Sequence, residues 1–195
     1  MRIVLTGGGT AGHVTPHLAL IPPLQREGWD IHYIGSETGI ERELIGKVEG
    51  VTYHAVKTGK LRRYRDVKNL SDPFRVVAGV GQATHLIHTL KPNVVFSKGG
   101  YVAVPVVYGA AFNRVPVLIH ESDMTSGLAN RLSLPFAKVL MCTFPETVKE
   151  AGKKGLYVGA PIRKELLAGD RERGLKLFGF TSNRPVLLVV GGSLG

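Results

Sequence analysis

The sequence holds one cysteine, Cys142, so no disulfide can close within it. Its place in the apolar run Val139–Cys142 predicts a buried thiol, and such cysteine poverty suits the cytosol. No apolar run approaches the ~20 residues that cross a bilayer, so membrane contact is expected to be peripheral. The opening Met1–Gly7 is too short for a signal peptide and reads directly as a first strand. Aromatic residues are scarce, at 7%, and do not interleave with basic ones as on an RNA-binding sheet, so no nucleic-acid partner is expected. Histidines and carboxylates do not occur at compact ligand spacing, so no metal site is expected; the favoured reading below expects no cofactor either. No internal repeat or low-complexity tract is present.

Acidic residues are also in short supply. Twenty-five Lys and Arg stand against 15 Asp and Glu, a net charge of +10 that favours anionic partners. The excess is concentrated between residues 57 and 75, where seven cations, Lys57 to Arg75, face Asp66 and Asp72. Leu70, Phe74, Val77 and Val80 recur there at helical spacing. Lys60, Arg62, Arg63, Lys68, Leu70, Phe74 and Arg75 therefore form a candidate patch for an anionic membrane surface. Val76, Val80, Ala83 and Leu86 or Ile87 form a competing core stripe.

What is abundant is alternation. Short Val/Ile/Leu-rich runs at Arg2–Thr6, Asp30–Ile34, Val51–Val56, Asn93–Ser97, Val115–His120, Lys138–Cys142 and Gly155–Val158 read as strands. Helical patterns lie between them, near His17–Glu27, Gly39–Lys47, Pro73–Leu90 and Val102–Phe112. This order predicts an α/β fold with a doubly wound, Rossmann-like parallel sheet. Pro22 and Pro23 predict a kink or break in the first helix. Residues 1–163 read as one domain and 164–184 as a linker, with one helix over Lys164–Phe178. Residues 185–195 read as the first strand and loop of a second domain, as in a fragment of a longer protein.

Two glycine-rich loops follow predicted strands. In Gly7–Pro16, glycines allow tight turning, and the helix start behind them offers N–H groups to an anion. Gly7, Gly9 and Gly12 also fit the dinucleotide fingerprint, with Glu37 at the end of the second strand as its acid, so a nicotinamide-dependent oxidoreductase is one reading. His13, at the mouth of the same loop, is placed to act as a general base. Ser97–Pro105 forms the second loop, with Lys98 adding charge, and the pair suits a diphosphate. The fifth strand runs into His120–Glu121–Ser122–Asp123, where Glu121 and Asp123 are rival bases and one of them is expected to face a ligand. Thr125 or Ser126 would cap the next helix.

Five segments in order resemble one family. Gly7–His13, Gly99–Pro105, His120–Asp123, Ala160–Arg163 and Gly191–Gly195 are similar to the glycine loops, HEQN, N-P-V-R and GGSQG segments of the MurG family, departing from it at Ala11, Ala103–Val104, Asp123 and Ala160. The resemblance implies a GT-B-type glycosyltransferase of two Rossmann-like domains, this chain carrying the acceptor-binding N-terminal one. It implies inverting transfer of GlcNAc from UDP-GlcNAc to a lipid-linked muramyl-pentapeptide in peptidoglycan synthesis, at the cytoplasmic face of the bacterial membrane. Thr10, Ala11, Gly12, Asp123, Arg163 and Ser193 match donor-contacting positions. Gly9, Gly12, His13, Gly99, Gly100 and Tyr101 would hold the acceptor diphosphate, with His13 or Glu121 catalytic. A UDP-GlcNAc 2-epimerase-like isomerase, a transferase acting on another lipid acceptor and a non-enzymatic lipid-binding module remain as alternatives.

Overall fold

The computed structural model describes residues 1–59 and 68–191, with side chains of the second stretch described from Phe74 onward. Two units emerge, Met1–Pro161 and Ile162–Gly195. The first is built on seven parallel strands: β1 (Arg2–Thr6), β2 (Asp30–Ser36), β3 (Val51–Val56), β4 (Val94–Ser97), β5 (Val117–Glu121), β6 (Val139–Cys142) and β7 (Gly155–Tyr157). Their spatial order is β3-β2-β1-β4-β5-β6-β7, the doubly wound arrangement that the alternation implies. The order reverses between β1 and β4, which pair from Ile3 with Val94 to Thr6 with Ser97. The loops after these two strands therefore meet at one sheet edge.

Successive strand residues point to opposite faces, and the core divides accordingly. Val4, Ile34, Val56, Val95, Ile119 and Leu140 pack under α3 (Lys68–Leu90) and α4 (Ala103–Phe112), where Ala83, Ile87, Val106 and Ala110 are fully buried. Ile3, Leu5, Ile31, Tyr33 and Phe96 face α1 (Thr15–Arg26) and α2 (Ile40–Ile45) on the other side. Cys142 lies in the first of these clusters, as its apolar run predicts.

Two short helices escaped the periodicity reading: α5 (Leu128–Ser133) and α6 (Pro145–Ala151). Neither spans two turns, too little for a 3.6-residue pattern to register. The N-cap of α5 is Gly127, which corrects the expectation of Thr125 or Ser126. Pro22 and Pro23 do not break α1, which runs unbroken from Thr15 to Arg26. Ile21 is buried and Leu18 and Leu24 pack beside it, so the sheet holds the helix where the backbone loses two hydrogen bonds.

In the second unit the single helix expected over Lys164–Phe178 is divided. A 3-10 turn at Lys164–Leu167 is followed by α7 (Arg171–Phe178). Asp170 starts α7 afresh by accepting a 2.7 Å hydrogen bond from the Arg173 N–H, and Gly179 ends it in the left-handed region at φ +68°. Pro185–Val190, expected as a strand, forms no ladder, and Leu187–Val190 are 76–89% exposed. A lone extended segment has no neighbour to pair its backbone.

Candidate active site

A cleft of about 410 Å³ opens at the C-terminal edge of the sheet. Its polar wall is His13, Glu121, Asp123 and Asn130; Gly100 and Tyr101 come from the second glycine loop, and Val76, Val104, Leu128 and Leu132 supply an apolar side. Clefts outside strand C-termini at a topological switch point are where open α/β sheets bind ligands.

Glycine is required where the two loops touch. Gly100 has φ +80°, and a Cβ there would lie 2.1 Å from the Gly8 carbonyl oxygen. Gly9 has φ +89°, and its missing Cβ would fall 2.4 Å from the Tyr101 ring. Gly100→Ala combines left-handed strain with a backbone clash, so it is expected to destabilise the fold by about 2 kcal/mol or more in urea unfolding. An unchanged unfolding midpoint would contradict this packing.

The first loop is closed from within by a carboxylate. Glu41, on α2 and fully buried, accepts from the Gly9 N–H at 3.2 Å and from the Ser36 N–H and hydroxyl. Cβ atoms on Gly8, Gly35 or Gly39 would each strike its side chain. Glu37 is exposed, and the acid at the glycine loop is instead turned inward, onto an N–H that a dinucleotide would need. This weighs against the oxidoreductase reading. Gly99 N–H is likewise spent on Ser97 Oγ at 3.1 Å. Of the six residues expected at the acceptor diphosphate, His13, Gly100 and Tyr101 border the cleft; Gly9, Gly12 and Gly99 do not.

Glu121 is saturated. Its carboxylate accepts from the N–H groups of Ser122 (2.9 Å), Asp123 (3.1 Å) and Gly127 (2.9 Å) and from Asn130 Nδ2 (2.9 Å). Burial would push its carboxyl group up, but the Gly127, Asn130 and Asp123 donors and the nearby Lys98 bring it below the usual range. A carboxylate so held pins the 122–127 loop and is a poor proton acceptor. Both Glu121 and Asp123 border the cleft, and Asp123 is the exposed one.

His13 is different. Its Nδ1 lies 3.3 Å from the Lys98 carbonyl oxygen. A carbonyl accepts only, so Nδ1 carries the proton and Nε2 keeps its lone pair. Burial, then the Lys98 charge, hold the imidazole below its ordinary 6.5, against the opposing pull of the Lys98 carbonyl, Glu121 and Asp123. A half-buried, neutral imidazole at the rim of a cleft is suited to take a proton from a bound hydroxyl.

The remaining expected contacts scatter. Thr10 and Gly12 are exposed on the first loop and Ala11 is half-buried. Arg163 is exposed in the second unit, and Ser193 lies outside the described residues. Phe74 and Val77 are 78% and 72% exposed on α3, and Arg75 is exposed beside them. Lys60, Arg62 and Arg63, and the side chains of Lys68 and Leu70, lie outside the described residues. Among the described residues no group of three His, Cys, Asp or Glu side chains could hold a metal ion, and no helix is long and apolar enough to cross a membrane.

Glu41 and Asn130 were not singled out from sequence. Glu41 stands one turn before the buried Ile45 on the same helix face, a signal that an acid would be turned inward. Asn130 sits in a helix too short to show its faces.

Comparison with known proteins agrees with this architecture. A transferase of Clostridium tetani, named UDP-N-acetylglucosamine–N-acetylmuramyl-(pentapeptide) pyrophosphoryl-undecaprenol N-acetylglucosamine transferase, is 57% identical over all 195 residues, which cover 54% of its length. The protein of the same name from Lachnoclostridium phytofermentans is 60% identical over the whole chain and 55% of its own length. The chain thus spans about half the length of these curated relatives. The crystal structure of Acinetobacter baumannii MurG superposes with a TM-score of 0.69 at 27% identity, over 83% of this chain and 46% of that one. A UDP-GlcNAc 2-epimerase from Neisseria meningitidis shares the fold alone, at TM-score 0.58 and 10% identity over 82% of this chain and 46% of that one. The model of the glycosyltransferase family 28 N-terminal domain matches residues 3–141, and the chain belongs to that family.

Proposed function

We propose that this chain is the acceptor-binding half of an inverting glycosyltransferase that moves GlcNAc from UDP-GlcNAc to a lipid-linked muramyl-pentapeptide in peptidoglycan synthesis. The observation that carries the reading is His13, with Nδ1–H tied to the Lys98 carbonyl and Nε2 left basic at the edge of a cleft with one polar and one apolar side. An acceptor hydroxyl beside Nε2 loses its proton to His13 as it attacks the anomeric carbon. UDP leaves from the opposite face, and the configuration inverts. The relatives' name, shared at 56–60% identity over the full chain, supports the same donor and acceptor.

The fold shared with UDP-GlcNAc 2-epimerases favours one second reading, an isomerase acting on the same nucleotide sugar. Product analysis separates them. This chain, continued with the second half of a close relative, is incubated with UDP-GlcNAc and a soluble lipid-linked muramyl-peptide analogue. A β-linked disaccharide is expected. Formation of the 2-epimer without acceptor consumption would overturn the transferase reading.

We also infer that the protein works as a peripheral protein on the anionic cytoplasmic membrane face, with Phe74, Arg75 and Val77 on α3 as its described contact points. Each basic side chain near such a surface is worth about 1 kcal/mol. Arg75→Glu, which reverses one charge, is therefore expected to weaken sedimentation with phosphatidylglycerol vesicles by roughly tenfold to thirtyfold. Equal binding by the variant would remove α3 from the contact.

A further inference from the structure

The ten residues of α4, Ala103–Phe112, include no charged side chain. A helix apolar all round belongs in a core, and six of these residues are buried. Val104 and Tyr108, one turn apart on the same face, are only half-buried. A second apolar stripe lies beside them. Leu128 and Leu132 of α5 repeat the four-residue spacing, and a 3-10 turn at Leu134–Phe136 continues the helix to Phe136. These three side chains are 59%, 40% and 42% exposed. The stripes are joined: Tyr108 Oη donates to the Leu132 carbonyl at 3.4 Å, and the Tyr108 and Phe136 ring centroids are 4.6 Å apart. Val104, Leu128 and Leu132 also line the cleft, so the strip is continuous with its apolar side. From Leu128 to Phe136 it extends roughly 12 Å at helical rise.

We propose that this strip is the track of the acceptor's prenyl chain, whose first isoprene units lie against Val104, Leu128, Leu132, Tyr108 and Phe136 as they leave the cleft. The proposal rests on the reading of the cleft as the acceptor site, and adds where the lipid goes. Single exposed apolar side chains are ordinary, but a contiguous strip that starts inside a cleft marks a ligand. The chemistry of that ligand follows from the two ends. The inner end opens on His13, Asp123 and Gly100, which suit hydroxyl and diphosphate groups. The outer end offers only aliphatic and aromatic surface, with no cation to hold a second polar group. A molecule that matches both is amphipathic, a polar head carrying a slender apolar tail. Seating the tail removes apolar surface from water on both partners. It also fixes the direction in which the head enters, with the sugar hydroxyl turned towards His13. Affinity should therefore grow with tail length until the strip is covered, and then level off.

The test is a methyl NMR titration of this chain with methyl diphosphate and farnesyl diphosphate, each below its aggregation limit. Farnesyl diphosphate is expected to bind at least about tenfold more tightly. It should shift the methyl groups of Val104, Leu128 and Leu132, with methyl diphosphate moving Gly100 and Tyr101 alone. Leu132→Ser and Phe136→Ser, both at exposed positions, should each reduce the farnesyl-to-methyl preference by about threefold to tenfold. That ratio is insensitive to a loss of folded protein, which weakens both ligands alike, and Leu128→Ser gives the same comparison if either variant does not fold. Equal affinity for the two diphosphates would overturn the track and leave the acceptor site standing. Shifts at Leu132 with phosphatidylglycerol vesicles and none with farnesyl diphosphate would make the strip a membrane contact and also overturn it. Binding of neither diphosphate, with UDP-GlcNAc moving the same cleft, would reject the acceptor reading and the track together.

Discussion

His13→Ala is expected to lower GlcNAc transfer by about 10²–10⁴-fold, the usual cost of losing a general base. On the proposed function the loss should fall on kcat, because Gly100, Tyr101 and the apolar side of the cleft, the proposed acceptor site, are unchanged in the variant. His13→Gln, which can present an amide N–H to the Lys98 carbonyl but cannot take a proton, should be no better. The wild-type pH profile carries the same signature. Because burial and Lys98 hold His13 below its ordinary 6.5, the acid limb of the rate profile should lie below pH 6.5. An unimpaired alanine variant would transfer the role to Asp123. It would not transfer it to Glu121, whose carboxylate already accepts four hydrogen bonds.

The second large effect is on stability. His17 is fully buried between the edges of Tyr33 and Phe96, at ring separations of 5.2 and 5.6 Å, with neither nitrogen hydrogen-bonded. Burial first, and Lys98 second, push its titration from 6.5 to about 3. The sign follows directly. Below pH 6.5 the unfolded chain binds a proton that the folded chain refuses, so the stability present above 6.5 is lost as the pH falls. The loss is about 1.4 kcal/mol per pH unit, approaching ~5 kcal/mol by pH 3. His17→Leu, close in volume, should lose little near pH 7 and gain about 2 kcal/mol relative to the wild type between pH 7 and pH 5. Urea unfolding at pH 7, 6 and 5 measures the difference, with the titrating carboxylates common to both proteins. Parallel stability curves would show that His17 protonates freely in the folded state.

The sheet was almost wholly legible in the sequence, because a strand covered on both faces writes itself as an apolar run. Val139–Cys142 and Arg2–Thr6 needed no more than that. The glycine loops were legible as positions but not as chemistry. Gly9 and Gly99 looked like open anion cradles, and their N–H groups are instead spent on Glu41 and Ser97. Only three-dimensional packing decides whether an N–H faces a ligand or a neighbouring side chain. Glu121 shows the same limit: a carboxylate at a strand end carries the same letter whether it meets water or four donors. In the sequence Lys98 reads only as added charge, since nothing local in Ser97–Gly99 reveals that its side chain is buried against Gly7. Pro185–Val190 shows the converse limit, in that an apolar run becomes a strand only where another strand receives it.

The most direct test of the account maps the acceptor onto this half. A ¹⁵N-labelled chain is titrated with a short-prenyl muramyl-pentapeptide diphosphate, and separately with UDP-GlcNAc. The largest shifts with the acceptor analogue should appear at His13, Gly100, Tyr101 and Gly127–Asn130, with UDP-GlcNAc alone leaving the cleft nearly unchanged. Shifts at these residues with UDP-GlcNAc and none with the acceptor analogue would contradict the assignment of this cleft to the acceptor.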